Sequence, residues 1–129
     1  MAQLPRTRSA GDFNSPRRED PDGTVLTWAQ HPSGELRPLH GERWDSAERN
    51  VLVNLKSAGL ADVFRELNGY APQDGSWAPS RRPDRARRFD HILAPPSLNP
   101  TRCEYVHAWR TERPRLSDHS AIEAVFEPR

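Results

Sequence analysis

The sequence predicts an α/β domain whose strands are weighted toward the C-terminal end. Three observations carry this expectation. "RFDHILA" (88–94), "CEYVHAW" (103–109) and "AIEAVFE" (121–127) alternate or cluster apolar residues over about the five to six residues usual for a strand. A helical period runs through "DSAERNVLVNLKSAG" (45–59). Hydrophobic residues make up 34% of the chain, below the usual share of roughly 45–50%, and there are 13 prolines, so a thin core and long loops are expected. At 129 residues the chain amounts to one domain at most.

Taken in order, "MAQLPRTRSA" (1–10) has no alternating apolar pattern and reads as an unstructured N-terminal segment; the domain proper is expected over 11–127. "SPRREDPDG" (15–23) reads as a turn-rich loop. "TVLTWA" (24–29) and "ELRPLH" (35–40), joined by "QHPSG", suggest a weak hairpin whose second arm is demoted by Pro38. The helix is expected to begin with Asp45 as N-cap and Glu48 in capping-box register. Ala47, Val51, Leu52, Leu55 and Ala58 would line its apolar face, and Gly59 would end it. A shorter helix, "ADVFRELNG" (61–69), follows. Residues 70–88 read as loop, except for a short strand around Trp77.

The net charge of +1 excludes a global basic field of the kind that marks many nucleic-acid binders. The cations are nearly all arginine, the residue suited to bidentate phosphate contacts, with Lys56 the single lysine. A lone Cys103 excludes an intrachain disulfide and a cysteine zinc site. His91, His107 and His119, taken with Cys103, match no zinc-ligand spacing. No apolar run reaches the length of a membrane span or a signal sequence, so a soluble, cytoplasmic protein with no membrane partner is expected.

Three short motifs stand in order: Gly11-Asp12-Phe13-Asn14, Arg88-Phe89-Asp90-His91-Ile92 and Leu116-Ser117-Asp118-His119-Ser120. In the first, Asp12 could orient a water and accept its proton, while Asn14, on the same side of an extended segment, could donate to a phosphoryl oxygen. The plain alternative is an Asx turn. His119 needs a partner to fix its tautomer and support its charged form, and a carboxylate does both. "RRPDRARR" (81–88) holds five arginines and one aspartate just before Asp90. It reads as a solvated loop, or as a phosphate-steering patch in which Arg81, Arg82 and Arg85 bind substrate.

Together the ordered motifs resemble the endonuclease/exonuclease/phosphatase superfamily of exonuclease III- and DNase I-like enzymes, in which GD[FLM]N, R-x-D-x-[IL] and S-D-H occur in this sequence. The resemblance covers residues 11–127 and corresponds to the C-terminal half of that family's four-layer α/β sandwich, so the fold it implies is incomplete. It implies a divalent-metal-dependent phosphodiesterase, a nuclease by preference, with Asp12, Asn14, Asp90 and His119 catalytic. Within that set Asp90 orients His119, while Asn14 and His119 contact the phosphate. It places Mg2+, or Mn2+, against Asp118 and Asp12. It also implies a preceding half, supplying a metal-ligating Glu, that this chain would receive in trans or lack as an inactive remnant. DNA, RNA and other phosphoesters all remain open as substrates.

Overall fold

The computed structural model describes residues 8–128. Strands in small antiparallel sheets are combined with a few short helices, so the α/β class holds. A three-stranded sheet carries β1 (Ser9–Asp12) and β4 (Ala61–Asp62) on either side of β5 (Asp90–Ala94). β2 (Arg18–Glu19) pairs with β3 (Val25–Leu26), and β6 (Pro100–Val106) pairs with β7 (Ala121–Phe126). The helices are α1 (Gly41–Leu52), α2 (Val63–Asn68) and α3 (Ala108–Thr111).

The core lies where α2 covers the C-terminal strands. Val63 and Phe64 of α2, Ala94 of β5, and Cys103 and Tyr105 of β6 are buried together, with Ile92, Ile122, Ala124 and Phe126 packed around them. Asp62 starts α2 by accepting the Arg65 N–H, the usual role of an aspartate at this position. Below this core sits a buried ionic knot. Glu19 pairs with Arg65 at 3.1 Å and with Arg88 at 2.8 Å, while Arg88 also pairs with Asp62 and reaches the Tyr105 hydroxyl at 3.4 Å. Two carboxylates face two guanidiniums, and such matched pairing is what makes buried charge tolerable. Burial alone would raise the pKa of Glu19, but the Arg88 and Arg65 bonds leave it lowered.

Three expectations are corrected. The N-terminal segment does not remain unstructured up to residue 10, because Ser9 and Ala10 already pair with Leu93 and Ile92; residues 1–7 lie outside the described chain. β3 pairs with β2 rather than with 35–40, of which only a single Gln30–Leu36 bridge forms. The reason is a tight turn at 20–24: Gly23 N–H donates to the Asp20 carbonyl, Asp22 accepts Thr24 N–H, and Gly23 adopts φ +93°. Helix α1 begins at Gly41, before Asp45, and no capping box forms. Asp45 instead accepts the Thr27 hydroxyl at 2.6 Å, and Glu48 accepts Trp28 N–H at 2.7 Å. These polar anchors turn the helix over, so Ala47 and Val51 of the expected apolar face are exposed, as is Trp44.

Candidate active site

The antiparallel register of β1 and β5 sets Asp12 directly opposite Asp90. Residues in such a pair sit about 4.5–5.5 Å apart, on one face of the sheet. Like charges at that position would repel, so a donor between the two carboxylates is favourable. His119 sits there. Its Nδ1 lies 2.6 Å from Asp90 Oδ2, and its Nε2 lies 3.7 Å from Asp12 Oδ2. A carboxylate can only accept, so Nδ1 carries a proton and the Nε2 edge faces Asp12. Partial burial would lower the His119 pKa, but the hydrogen bond and charge of Asp90, with Asp12 and Asp118 behind them, raise it above the ordinary 6.5.

Each side chain is held by identifiable local structure. Asp12 Oδ1 accepts the Asn14 N–H at 2.8 Å, so the Asx turn forms and leaves Oδ2 toward His119. Asn14 takes a left-handed backbone, φ 52°, and its carbonyl accepts the Trp28 indole N–H at 2.8 Å. Its side chain is exposed. The Asp90 carbonyl accepts the Tyr105 hydroxyl at 2.6 Å, tying the site to the core. Ahead of His119, the Ser117 hydroxyl accepts the His119 N–H at 3.0 Å, folding Ser-Asp-His into a turn.

Four residues outside the motifs brace this arrangement. Ser76 is fully buried. Its hydroxyl accepts Phe89 and Asp90 N–H at 3.0 and 3.1 Å, and its carbonyl accepts Ser120 N–H at 2.7 Å. One serine thus joins the Asp90 strand to the His119 turn. The Ser120 hydroxyl lies 2.7 Å from His107 Nδ1 and accepts Arg110 Nε at 2.7 Å, while His107 Nε2 is 2.9 Å from Asp74. His107, which no motif includes, therefore stands behind the Ser-Asp-His turn. The preceding Gly75 lets this segment approach closely: a Cβ there would lie 2.8 Å from Ala86 Cβ and the Arg87 backbone, an approach that only glycine allows.

The remaining expected residues scatter. Asp12, Asp90 and His119 form a cluster whose ligating atoms lie within 4.8 Å of one another, and Asp118 is exposed and outside it. Arg82 is engaged by Asp84 at 2.9 Å, Arg81 is exposed on the same loop, and Arg85 points into a separate pocket with Arg17, Arg18 and Arg87. Trp77 stacks on Phe89 at 5.4 Å and bridges to Arg87, a packing role. No helix among the described residues is long and apolar enough to cross a membrane. No family model matches the sequence, and no curated protein does either.

Proposed function

We propose that this chain carries the water-activating and phosphate-binding side of a divalent-metal-dependent phosphodiesterase, with a nucleic acid as substrate. The observation that carries the reading is the placement of His119 between Asp90 at 2.6 Å and Asp12 at 3.7 Å on paired strands. The motif resemblance supports it independently, and the four-layer half-sandwich belongs to the same proposal.

In this reading Asp90 holds the Nδ1–H of His119 and stabilises the imidazolium. The Nε2–H then donates to a phosphoryl oxygen as charge builds there. Asp12 Oδ2 accepts the proton of the attacking water, and the exposed Asn14 carboxamide donates to a second phosphoryl oxygen. Asp12 and Asp90, clustered with His119, would offer magnesium or manganese the one or two carboxylates usual for a phosphate enzyme, leaving most positions to water and substrate. Asp118, the ligand the resemblance implies, lies outside that cluster. Such an ion, when bound, would lower the pKa of the attacking water and offset phosphate charge.

A second reading is that a further half is needed in trans. It is favoured by the apolar surface left open along one segment, where Leu39, Trp44, Val51 and Val53 are all exposed. The experiment is hydrolysis of an activated phosphodiester and of labelled DNA by the purified chain, with magnesium or manganese and then with excess chelator. Turnover that needs the ion and is abolished by His119→Ala supports the proposal. Turnover that survives chelation or His119→Ala sinks it.

A further inference from the structure

Away from the Asp12–Asp90–His119 cluster, the protein has a pocket of about 380 Å3, within the range of roughly 300–1,000 Å3 usual for small-molecule sites. Arg17, Arg18, Arg85 and Arg87 line it together with the buried Arg65 and Arg88. The last two are neutralised by Glu19 and Asp62. Arg18 pairs with Asp20 at 2.8 Å. Among the described residues, Arg17, Arg85 and Arg87 have no carboxylate partner. Two of them are fixed in place. The Arg87 guanidinium donates to the Arg17 carbonyl, Arg17 donates to the Gln30 carbonyl, and both cations sit over the Trp28 ring at 5.1 and 5.3 Å.

We propose that this pocket binds an oligophosphate group, meaning two or three linked phosphoryl units. The reason is electrostatic. Three guanidiniums held around one cavity repel one another, and a compact multivalent anion relieves that repulsion through bidentate hydrogen bonds. The strain is visible at Arg87, whose pKa is lowered first by burial and then by the charges of Arg17, Arg85 and Arg18. Asp74 on the wall is engaged by His107 and leaves the arginine face open. Of the steering residues Arg81, Arg82 and Arg85 only Arg85 lines the pocket, so the site differs from that patch even though Arg87 and Arg88 of "RRPDRARR" also line it. None of Asp12, Asp90 and His119 lines the pocket, and the inference does not rest on the proposed hydrolysis.

The test is calorimetric titration of the purified chain with inorganic tripolyphosphate, with chelator present and ionic strength held constant. Saturable one-to-one binding is expected, accompanied by a change in Trp28 fluorescence that Trp28→Phe removes. Arg87→Gln and Arg85→Ala should each weaken it at least tenfold. Arg85 is exposed, so its variant keeps the fold intact if Arg87→Gln does not. Arg81→Ala, outside the pocket wall, should leave affinity unchanged. A single-stranded oligonucleotide that displaces tripolyphosphate would assign the phosphoryl groups to a nucleic-acid strand, and failure to displace would assign them to a free oligophosphate or nucleotide. Binding matched by sulfate at equal ionic strength, equal loss in Arg81→Ala and Arg85→Ala, or no saturable binding would overturn the proposal.

Discussion

His119 has two carboxylates within reach, and each makes a different demand on it. Asp90, at 2.6 Å, fixes the ring's tautomer; Asp12, at 3.7 Å, lies beyond hydrogen-bonding distance and leaves the Nε2 edge without a close partner. Asp90→Asn should keep the shape while offering an amide that cannot stabilise the imidazolium. A loss of at least about a hundredfold in kcat is expected, with KM moved less, measured on an activated phosphodiester. Asp12→Asn should cost as much by removing the proton acceptor. Both residues were legible because their motifs are short, local and chemically specific. Ser76 and His107 were not legible. Their roles come from bonds to Asp90 and Ser120 that are distant in the chain, and serine or histidine in a loop carries no pattern of its own. The buried Glu19–Arg88–Asp62 knot was equally hidden, and it yields a pH prediction. Burial would raise the Asp62 pKa, but the His91 and Arg88 interactions depress it below the ordinary 3.8, and Glu19 is likewise held below 4.5. Carboxylates depressed in the folded state stabilise it above their unfolded values, and that stability drains away as pH falls through the folded ones. Urea midpoints should therefore drop progressively below about pH 4.5, and Glu19→Gln, which leaves buried guanidinium charge uncompensated, should cost about 3–5 kcal/mol at neutral pH.

At the scale of elements, the second helix and the strands expected over 88–94 and 121–127 follow their sequence patterns, because alternation and an aspartate cap are local signals. The strand expected over 103–109 runs from Pro100 to Val106, and Ala108 and Trp109 begin α3 instead. The N-terminal half departs further, and the reasons are specific. "DPDG" is a strong turn, yet its flanking arms are only two residues each, too short for an apolar period to show. Helix α1 was oriented by its hydrophobic residues, whereas Asp45, Glu48 and Arg49 decide its seat through bonds to the 25–30 segment. The segment at Ser76 couples two elements, the entry of β5 and the turn before β7. Ser76→Ala would leave two backbone donors without their acceptor and should destabilise by roughly 1–3 kcal/mol per group left unpaired. Activity should fall further than stability alone explains, since Asp90 and His119 lose a common brace. Parallel denaturation and turnover measurements on the variant check this; activity loss that tracks unfolded fraction would reduce Ser76 to packing.

Across the whole molecule, polar seating leaves apolar surface open. Trp44 and Val51 are seven residues apart on α1, hence on one face, and both are exposed. The isolated chain should bind a hydrophobic dye and self-associate as concentration rises. Trp44→Glu with Val51→Glu should abolish both effects while shifting stability by no more than about 0.5 kcal/mol, as for surface substitutions elsewhere. A monomeric, dye-free wild-type chain in sedimentation would contradict this. The pairing of β1 with β5 has a further meaning, one of timing. Asp12 leaves the ribosome well before Asp90 and can meet it only after the whole intervening segment has followed. Closing so long a loop is entropically slow, and strand pairings between distant segments tend to form after local helices and turns. The Asp12–Asp90–His119 cluster should then be among the last features to mature in each newly made copy. A nascent chain stalled before β5 would hold the first motif with nothing opposite it, and the cluster would be unassembled while the chain is still tethered.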